Sequence, residues 1–132
     1  MRLGASDAWS LLLTADHGVL ATVHAERGVD AVPVVFAIDG DRIVLPVDTV
    51  KPKATTRLQR LDNLAKDPRC ALLVDHYDDD WSALWWVRVS GTASVVDGRH
   101  PALTRFPAYE ETGAVAATIV LEPTAVTGWR AI

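Results

Sequence analysis

The sequence predicts a single, mainly β domain: a small antiparallel barrel of six strands with helices packed outside it. The chain has 132 residues, enough for one ordinary domain. Of these, 49% are hydrophobic and 23% charged, proportions typical of a folded globule. Short β-prone runs are joined by connections of hairpin length, which indicates antiparallel pairing. Six strands in one open sheet would leave edges, and curling the sheet into a barrel hides them.

The first 50 residues predict a short helix and then three strands. Ser6 and Asp7 suit the cap of a helix running through Trp9 to Leu13. The three β-prone runs that follow are Val19–Val23, Ala31–Ile38 and Arg42–Val47. Asp39-Gly40 predicts a tight hairpin between the last two runs. Because proline cannot donate to a ladder, Pro33 and Pro46 should each face an edge, a bulge or a ligand.

The second half predicts one further long helix, three strands and a short helix. Apolar residues recur at spacings of three and four between Pro52 and Asp67, which predicts a helix. The strands are predicted at Cys70–Val74, Leu84–Val96 and Val115–Leu121, and the short helix at Pro101–Phe106. Gly91, inside the longest of these strands, predicts a bulge.

Charge, hydropathy and cysteine content exclude several classes of protein. The formal charge of −4 has the wrong sign for a chain that neutralises many nucleic-acid phosphates. No window has the ~18 to 20 uninterrupted apolar residues of a membrane span, and the N-terminus does not resemble a secretion signal. One cysteine, Cys70, forms no intramolecular disulfide. We therefore expect a cytoplasmic protein without nucleic-acid or membrane partners.

Nucleophilic and metal chemistry have little support in the sequence. Cys70 lies in an apolar run, where a cysteine is usually inert. The four histidines are scattered and none has ligand spacing from another, so we expect no metal. Asp78–Asp80 lacks the alternating ligands and closing glutamate of a calcium loop, which favours a solvated loop.

The segment 51–69 concentrates positive charge. It carries six basic and two acidic side chains, a formal +4, while the other 113 residues carry seven basic and fifteen acidic ones, −8. On a helix, Lys53, Arg57 and Arg60 fall within an arc of roughly 60° beside the leucine face. Such a stripe can bind phosphates or carboxylates, and a solvated helix face is the alternative.

Tryptophans cluster near residue 85. Trp81, Trp85 and Trp86 lie within six residues of one another. On a strand, Trp85 and Trp86 point to opposite faces, so one packs in the barrel while the other faces a dimer partner or a planar ligand. Core packing of both is the alternative.

Several segments together carry a family resemblance over essentially the whole chain. They are Val19–Val23, Val32–Phe36, Asp39–Asp41, Lys53–Arg69, Ala71–Asp75, Trp81, Val87–Ala93 and Thr127–Arg130. In this order the sequence resembles the split β-barrel flavin and deazaflavin oxidoreductases related to pyridoxamine 5′-phosphate oxidase, and especially their small single-domain class that uses coenzyme F420. The resemblance implies a six-stranded antiparallel split β-barrel, the FMN-binding split barrel, over residues 1–132.

The same resemblance implies a homodimer with a cofactor groove at its interface. It places the cofactor ring near Pro33, Val34 and Val35. It places the anionic tail on the basic segment, where the matching positions are Lys53, Arg57 and Arg60, with Thr56 and Asn63 beside them and Lys51 a weaker match.

The sequence therefore predicts a homodimeric oxidoreductase that uses reduced F420 to reduce a small molecule. FMN is the alternative cofactor, and a non-catalytic binder of flavin, F420 or a tetrapyrrole is the alternative function. The cofactor would carry the hydride while the protein binds, orients and excludes water. For the proton donor, Tyr77, Tyr109, His76 and solvent all remain open.

Overall fold

The computed structural model describes residues 1–48, 56–107 and 115–132. This part of the chain forms one eight-stranded antiparallel sheet and two α-helices. The strands are β1 (Arg2–Leu3), β2 (His17–His24), β3 (Gly28–Val35), β4 (Ala37–Asp39), β5 (Arg42–Asp48), β6 (Arg69–His76), β7 (Trp85–Asp97) and β8 (Val115–Arg130). The helices are α1 (Ala5–Leu12) and α2 (Thr56–Lys66), and 3₁₀ turns occur at Trp81–Ala83 and Pro101–Arg105.

The sheet curls on itself without closing. Its strand order is β3-β2-β6-β7-β8-β5-β4, with β1 added beside β8. The two end strands, β3 and β4, are consecutive in the chain and only Phe36 separates them. Phe36 is fully buried, and its N–H donates to the Asp16 carbonyl at 2.9 Å. The fold is therefore the mainly β split barrel that the sequence predicts, with helices at its sides.

Two predicted features between residues 31 and 42 are wrong in detail. The single strand predicted at Ala31–Ile38 is divided at Phe36, where the chain turns from one end of the sheet to the other. The hairpin is centred on Gly40-Asp41 rather than on Asp39-Gly40, because Asp39 pairs with Arg42. Gly40 supplies the positive φ of 62° that this turn requires.

The last strand is longer than predicted. Val115–Leu121 extends to Arg130 as β8 because Pro123 does not end it. Pro123 pairs opposite Gly91, and the register of β7 against β8 shifts between Ser90 and Gly91. The bulge predicted at Gly91 is confirmed, and it accommodates a proline that would otherwise interrupt the ladder.

The positions of the two other sequence-marked prolines are as predicted. Pro33 lies on β3, an edge strand paired on one side with β2. Pro46 lies on β5 beyond Val44, the last β5 residue that pairs with β4. Each proline therefore has an open side within the described sheet, where the missing N–H costs nothing.

The two short helices differ from their predicted form. α1 begins at Ala5 after Gly4, and neither Ser6 nor Asp7 caps it. The predicted helix at Pro101–Phe106 is a 3₁₀ turn, Pro101–Arg105, in which His100 Nδ1 accepts from the Ala102 N–H at 3.0 Å. The strand β1, which pairs Arg2 with Trp129, was not predicted because two residues carry no periodic signal.

The core lies between the inner face of the curled sheet and α1. Its largest fully buried side chains are Phe36, Leu12, Leu20, Ile43, Leu45, Leu72, Leu103, Ile119 and Leu121. Within the described residues, neither helix has the length and apolar content needed to cross a bilayer.

Candidate functional site

The edge strand β3 is the first component of the candidate site. It pairs with β2 on one side, and its other side pairs with none of the described strands. An edge strand presents unpaired backbone N–H and C=O groups in a row. The predicted ring-binding residues lie at its C-terminal end, with Pro33 exposed and Val34 and Val35 half-buried. This edge can hydrogen-bond a planar ligand.

A polar network anchors α2 beside β3. Asn63, only 3% exposed, donates through Nδ2 to Thr22 Oγ1 and to Asp30 Oδ2, both at 2.9 Å. Gln59 Nε2 donates to Asn63 Oδ1 at 2.8 Å. Thr22 is also 3% exposed. Asn63, predicted to lie beside a cofactor tail, thus joins α2 to β2 and β3, and both of its N–H donors serve that purpose.

Asp30 connects this network to an arginine on the β2–β3 turn. Arg27 Nε and Nη2 donate to the two carboxylate oxygens of Asp30 at 3.0 and 2.9 Å. These bonds, and then the bond from Asn63, lower the pKa of Asp30 to about 2. The carboxylate therefore stays ionised at neutral pH and holds the guanidinium in place.

A cleft of about 210 Å³ opens between β3 and α2 above this network. We call it the edge-strand cleft; its lining residues are Thr22, Arg27, Asp30, Ala31, Val32, Gln59 and Arg60. Its lining includes two arginines from different parts of the chain, Arg27 on the β2–β3 turn and Arg60 on α2. Val32 leads directly to Pro33, so the cleft joins the ring-binding end of β3. Asp30 and Val35 are about 16 Å apart along the strand.

The predicted tail-binding residues are distributed unevenly over the described chain. Lys51 and Lys53 lie outside the described residues. Thr56 and Arg57 lie in the first turn of α2. Arg60 lies one turn further on and lines the cleft. Residues three apart on a helix share a face, so the backbone places Arg57 and Arg60 on the same side of α2.

The two tryptophans lie away from this cleft. Trp85 is half-buried, packs against the core and stacks on His76, with ring centroids 6.1 Å apart. Trp86 lies opposite Asp75 and Trp129, and its ring is 5.5 Å from the Arg88 guanidinium carbon. β7 is three strands from β3, a distance of about 14 Å across the sheet. Within one chain the structure does not bring Trp85 or Trp86 together with the edge-strand cleft.

One surface of the sheet, the outer face, is apolar and exposed. Directly paired residues share a face, which places Pro33, Val19, Leu73, Arg88 and Thr127 in one row across five strands. The next row toward the edge-strand cleft is Ala31, Ala21, Ala71, Ser90 and Ala125. Val19 and Leu73 are 37% and 42% exposed. Contiguous exposed apolar surface is typical of interaction sites, which makes this face a candidate.

Sequence reasoning missed two features of the site. Arg27 lies between two predicted strands, and its spacing of three from Asp30 across Gly28 is the only local signal of their ion pair. His17 precedes the predicted run Val19–Val23, yet it lies on β2 directly opposite Val35. Its Nδ1 is 2.8 Å from Asp16 Oδ1. Strand register brings both residues to the site, and register cannot be predicted from a short stretch of sequence.

The cysteine and metal predictions can be compared with the described residues. Cys70 is buried, and burial raises the pKa of its thiol to about 11. The thiolate that a nucleophile requires is therefore scarce at neutral pH. In the described ranges no three histidine, cysteine, aspartate or glutamate side chains converge as metal ligands do.

Comparison with known proteins gives one family and several structural neighbours. The family model described as pyridoxamine 5′-phosphate oxidase matches residues 9–130. Searching the curated proteins produced no significant match. Among solved structures, the FAD-binding protein from Mycobacterium smegmatis is 20% identical with a TM-score of 0.66, and the match covers 98% of each chain.

Two further neighbours have the same fold. A conserved hypothetical protein from Mycobacterium tuberculosis is 17% identical with a TM-score of 0.74, covering 98% of this chain and 86% of that one. A heme-binding protein from Mycobacterium smegmatis is 22% identical with a TM-score of 0.70, covering 98% of this chain and 55% of that one.

Proposed function

Because this chain belongs to the pyridoxamine 5′-phosphate oxidase family, we propose that it is an oxidoreductase that transfers a hydride between coenzyme F420 and a small-molecule substrate. FMN is the alternative cofactor. The proposal places the cofactor ring along Pro33, Val34 and Val35 and the anionic tail across the edge-strand cleft toward α2. A single cysteine that is buried suits a reducing compartment, and we place the protein in the cytoplasm.

The observation that carries this proposal is the meeting of an open strand edge with a cationic cleft. The edge of β3 offers backbone groups to the polar rim of a planar ring. Arg27 and Arg60 in the adjoining cleft offer charge-assisted hydrogen bonds to a phosphate. A ring at one end and an anion at the other are the two parts that F420 and FMN share, so the described residues fit either cofactor.

The preference for F420 rests on the number of cations. Its tail carries a phosphate and glutamates, whereas the tail of FMN carries one phosphate. Lys51, Lys53, Arg57 and Arg60 form a basic series longer than one phosphate needs. This difference supports F420 without excluding FMN.

When bound, such a cofactor supplies the hydride. The side chains around it would bind the cofactor, orient the substrate and protonate the reduced product. Asn63 joins α2 to β2 and β3, and α2 carries Arg57 and Arg60, the residues that would hold the tail. Val35 shares a face of β3 with Pro33 and would supply an apolar surface for the ring, while Val34 packs toward the core.

His17 becomes a candidate proton donor beside the ring-binding end. It lies directly opposite Val35, and residues so paired have Cβ atoms about 4.5–5.5 Å apart. Asp16 Oδ1 contacts Nδ1 at 2.8 Å, which orients the ring and leaves Nε2 outside that bond. His17 therefore joins His76 and Tyr77 as a candidate, while Tyr109 lies outside the described residues.

We also propose that the protein is a homodimer joined through the outer face. Its two central rows are apolar or small, except for Arg88, Thr127 and Ser90. A second copy of the same face is self-complementary, as a two-fold interface requires. Because β3 lies at the margin of this face, the partner would border the cofactor groove.

Cofactor titration tests the proposed function. Purified protein would be titrated with F420 and with FMN while tryptophan fluorescence is followed. We expect tighter binding of F420, and reversing the charge at Arg57 and Arg60 should weaken it while leaving the fold intact by circular dichroism. If FMN binds more tightly, FMN is the cofactor instead of F420. If neither cofactor binds, the proposed function is rejected.

A second candidate function is non-catalytic binding of a flavin, F420 or a tetrapyrrole. Two neighbours of the same fold are named for binding FAD and heme rather than for a reaction. Turnover separates the two candidates. Reduced F420 that binds but is never oxidised by a panel of quinones, enones and tetrapyrroles would identify a carrier; oxidation by any of them supports the enzyme.

A further inference from the structure

We propose that Arg27, on the turn between β2 and β3, binds the phosphate of the cofactor tail, and that Asp30 is the residue that positions it. The inference rests on the proposed function and extends it to a residue outside the basic segment. It also specifies where along the groove the phosphate lies: in the edge-strand cleft, next to Ala31 and Val32.

The first step of the argument is the pairing of two arginines across one small cleft. Arg27 and Arg60 line the same volume of about 210 Å³ but belong to elements 33 positions apart in the sequence. A guanidinium presents its donors in a plane that matches two oxygens at once. Placed against two terminal oxygens of a phosphate, this fork makes a pair of charge-assisted hydrogen bonds.

The second step is the state of Arg27 itself. Two of its five N–H donors bond to Asp30, through Nε at 3.0 Å and Nη2 at 2.9 Å. The other three have no hydrogen-bond partner in the described part of the chain. The side chain is 56% exposed, so an arriving anion can reach these donors. Arg27 can therefore bind a phosphate without releasing Asp30.

The third step is preorganisation. Asp30 is held from the other side by Asn63, which is 3% exposed and bonded to Thr22 on β2. The guanidinium is thus fixed to the barrel through a chain of hydrogen bonds rather than held by an isolated surface pair. Fixing it before the ligand arrives removes part of the entropy cost of binding.

The test compares FMN with riboflavin, which differ only in the phosphate, and F420 with its deazaflavin chromophore, which lacks the whole tail. Wild-type protein, in the oligomeric state in which it purifies, would be titrated with each ligand of these two pairs. The quantity measured is the Kd of the ligand without the phosphate divided by the Kd of the ligand that carries it, within each pair. We expect R27Q to reduce this ratio about tenfold, because the charge-assisted bond is lost. R27K keeps the charge but loses the planar arrangement of donors, so it should reduce the ratio less.

A matched control is R42Q. Arg42 is also an exposed arginine paired with a carboxylate, Glu122 at 3.5 Å, but it does not line the edge-strand cleft. R42Q should leave both ratios unchanged. In a D30N background, R27Q should have a smaller effect than in wild type because Arg27 is no longer held. An equal effect in both backgrounds would overturn the positioning role of Asp30.

Pyrophosphate separates failure of this inference from failure of the proposed function. If flavin or deazaflavin binds and R27Q leaves the phosphate ratio at its wild-type value, Arg27 is not a phosphate ligand although the function stands. If neither cofactor binds wild type but calorimetry detects pyrophosphate binding that R27Q abolishes, the anion site stands and the function fails. Binding of none of these probes overturns both.

Discussion

At the scale of single residues, most of the site depends on a few polar side chains with all their partners in place. Asn63 uses both N–H donors and its carbonyl, and Asp30 accepts from two different residues. Buried polar groups stabilise a fold when they are satisfied and destabilise it when one partner is removed. The residues that orient the groove are therefore also residues on which folding depends.

Asp30 should make stability depend on pH in a defined window. Its pKa is lowered from 3.8 to about 2, so its ionised form stabilises the fold fully above pH about 4 and progressively less as pH falls to 2. The difference in free energy of unfolding between wild type and D30N should then be largest above pH 4 and shrink below it. Urea unfolding at pH 6, 4 and 2.5 measures this; a difference that stays constant would contradict it. D67N, measured in parallel, should show the same trend, because Arg69 lowers the pKa of Asp67 to about 2.

His17 should affect turnover more than binding. If it donates the proton, H17Q should lower kcat about 10²-fold with whichever acceptor wild type reduces, while the Kd of the cofactor is unchanged. H76Q is the comparison, because His76 stacks on Trp85 and lies on β6 rather than beside Val35. Loss of turnover in H76Q with normal activity in H17Q would assign the proton to the other histidine.

At the scale of elements, the barrel depends on positions where one strand can bend. Phe36 divides β3 from β4, and beside Gly91 the strand β8 has an extra residue, Thr124, that forms the bulge against β7. The bulge was predictable because glycine inside a β-prone run is a local signal. The division at Phe36 was not, because the surrounding residues form a continuous apolar run and only the curvature of the sheet interrupts it.

Replacing Gly91 tests the bulge. A Cβ at this position would lie 2.1 Å from the Glu122 carbonyl oxygen. The backbone of β7 or β8 would have to move to relieve this clash. We expect Gly91→Ala to lower the free energy of unfolding by about 1–3 kcal/mol or more, measured with urea. Ser94→Ala, at an exposed position of the same strand, should change it by no more than about 0.5 kcal/mol. Equal effects of the two changes would mean that the bulge is not under this constraint.

At the scale of the whole molecule, the outer face is the surface through which we propose that two copies associate. Its exposed apolar residues belong to β2, β3 and β6, strands that are distant in sequence but adjacent in the sheet. No single strand suggests an interface, since one exposed valine or leucine is ordinary. The row that contains Pro33, Val19 and Leu73 becomes a surface only when the strands pair.

A charge on this surface should dissociate the dimer. Leu73→Asp would place a carboxylate at the centre of the proposed interface, where a partner could not hydrate or pair it. We expect a monomer by sedimentation, with a circular dichroism spectrum like that of wild type. Val96→Asp is the control, because Val96 is 45% exposed but lies on the part of β7 that pairs only with β8. Dissociation by Val96→Asp instead would move the interface to another face.

Features that depend on local chemistry could be predicted from the amino-acid sequence alone. Short β-prone runs with short connections predicted an antiparallel barrel, and leucine spacing predicted α2, while the basic residues around it allowed either an anion site or a solvated helix face. No local pattern predicts that Arg27 and Arg60 line one cleft or that His17 lies opposite Val35, and these contacts become visible only in the folded chain. The physical reason is register: which residues of two strands meet depends on the pairing of the whole sheet, and a shift of one residue would reverse every face.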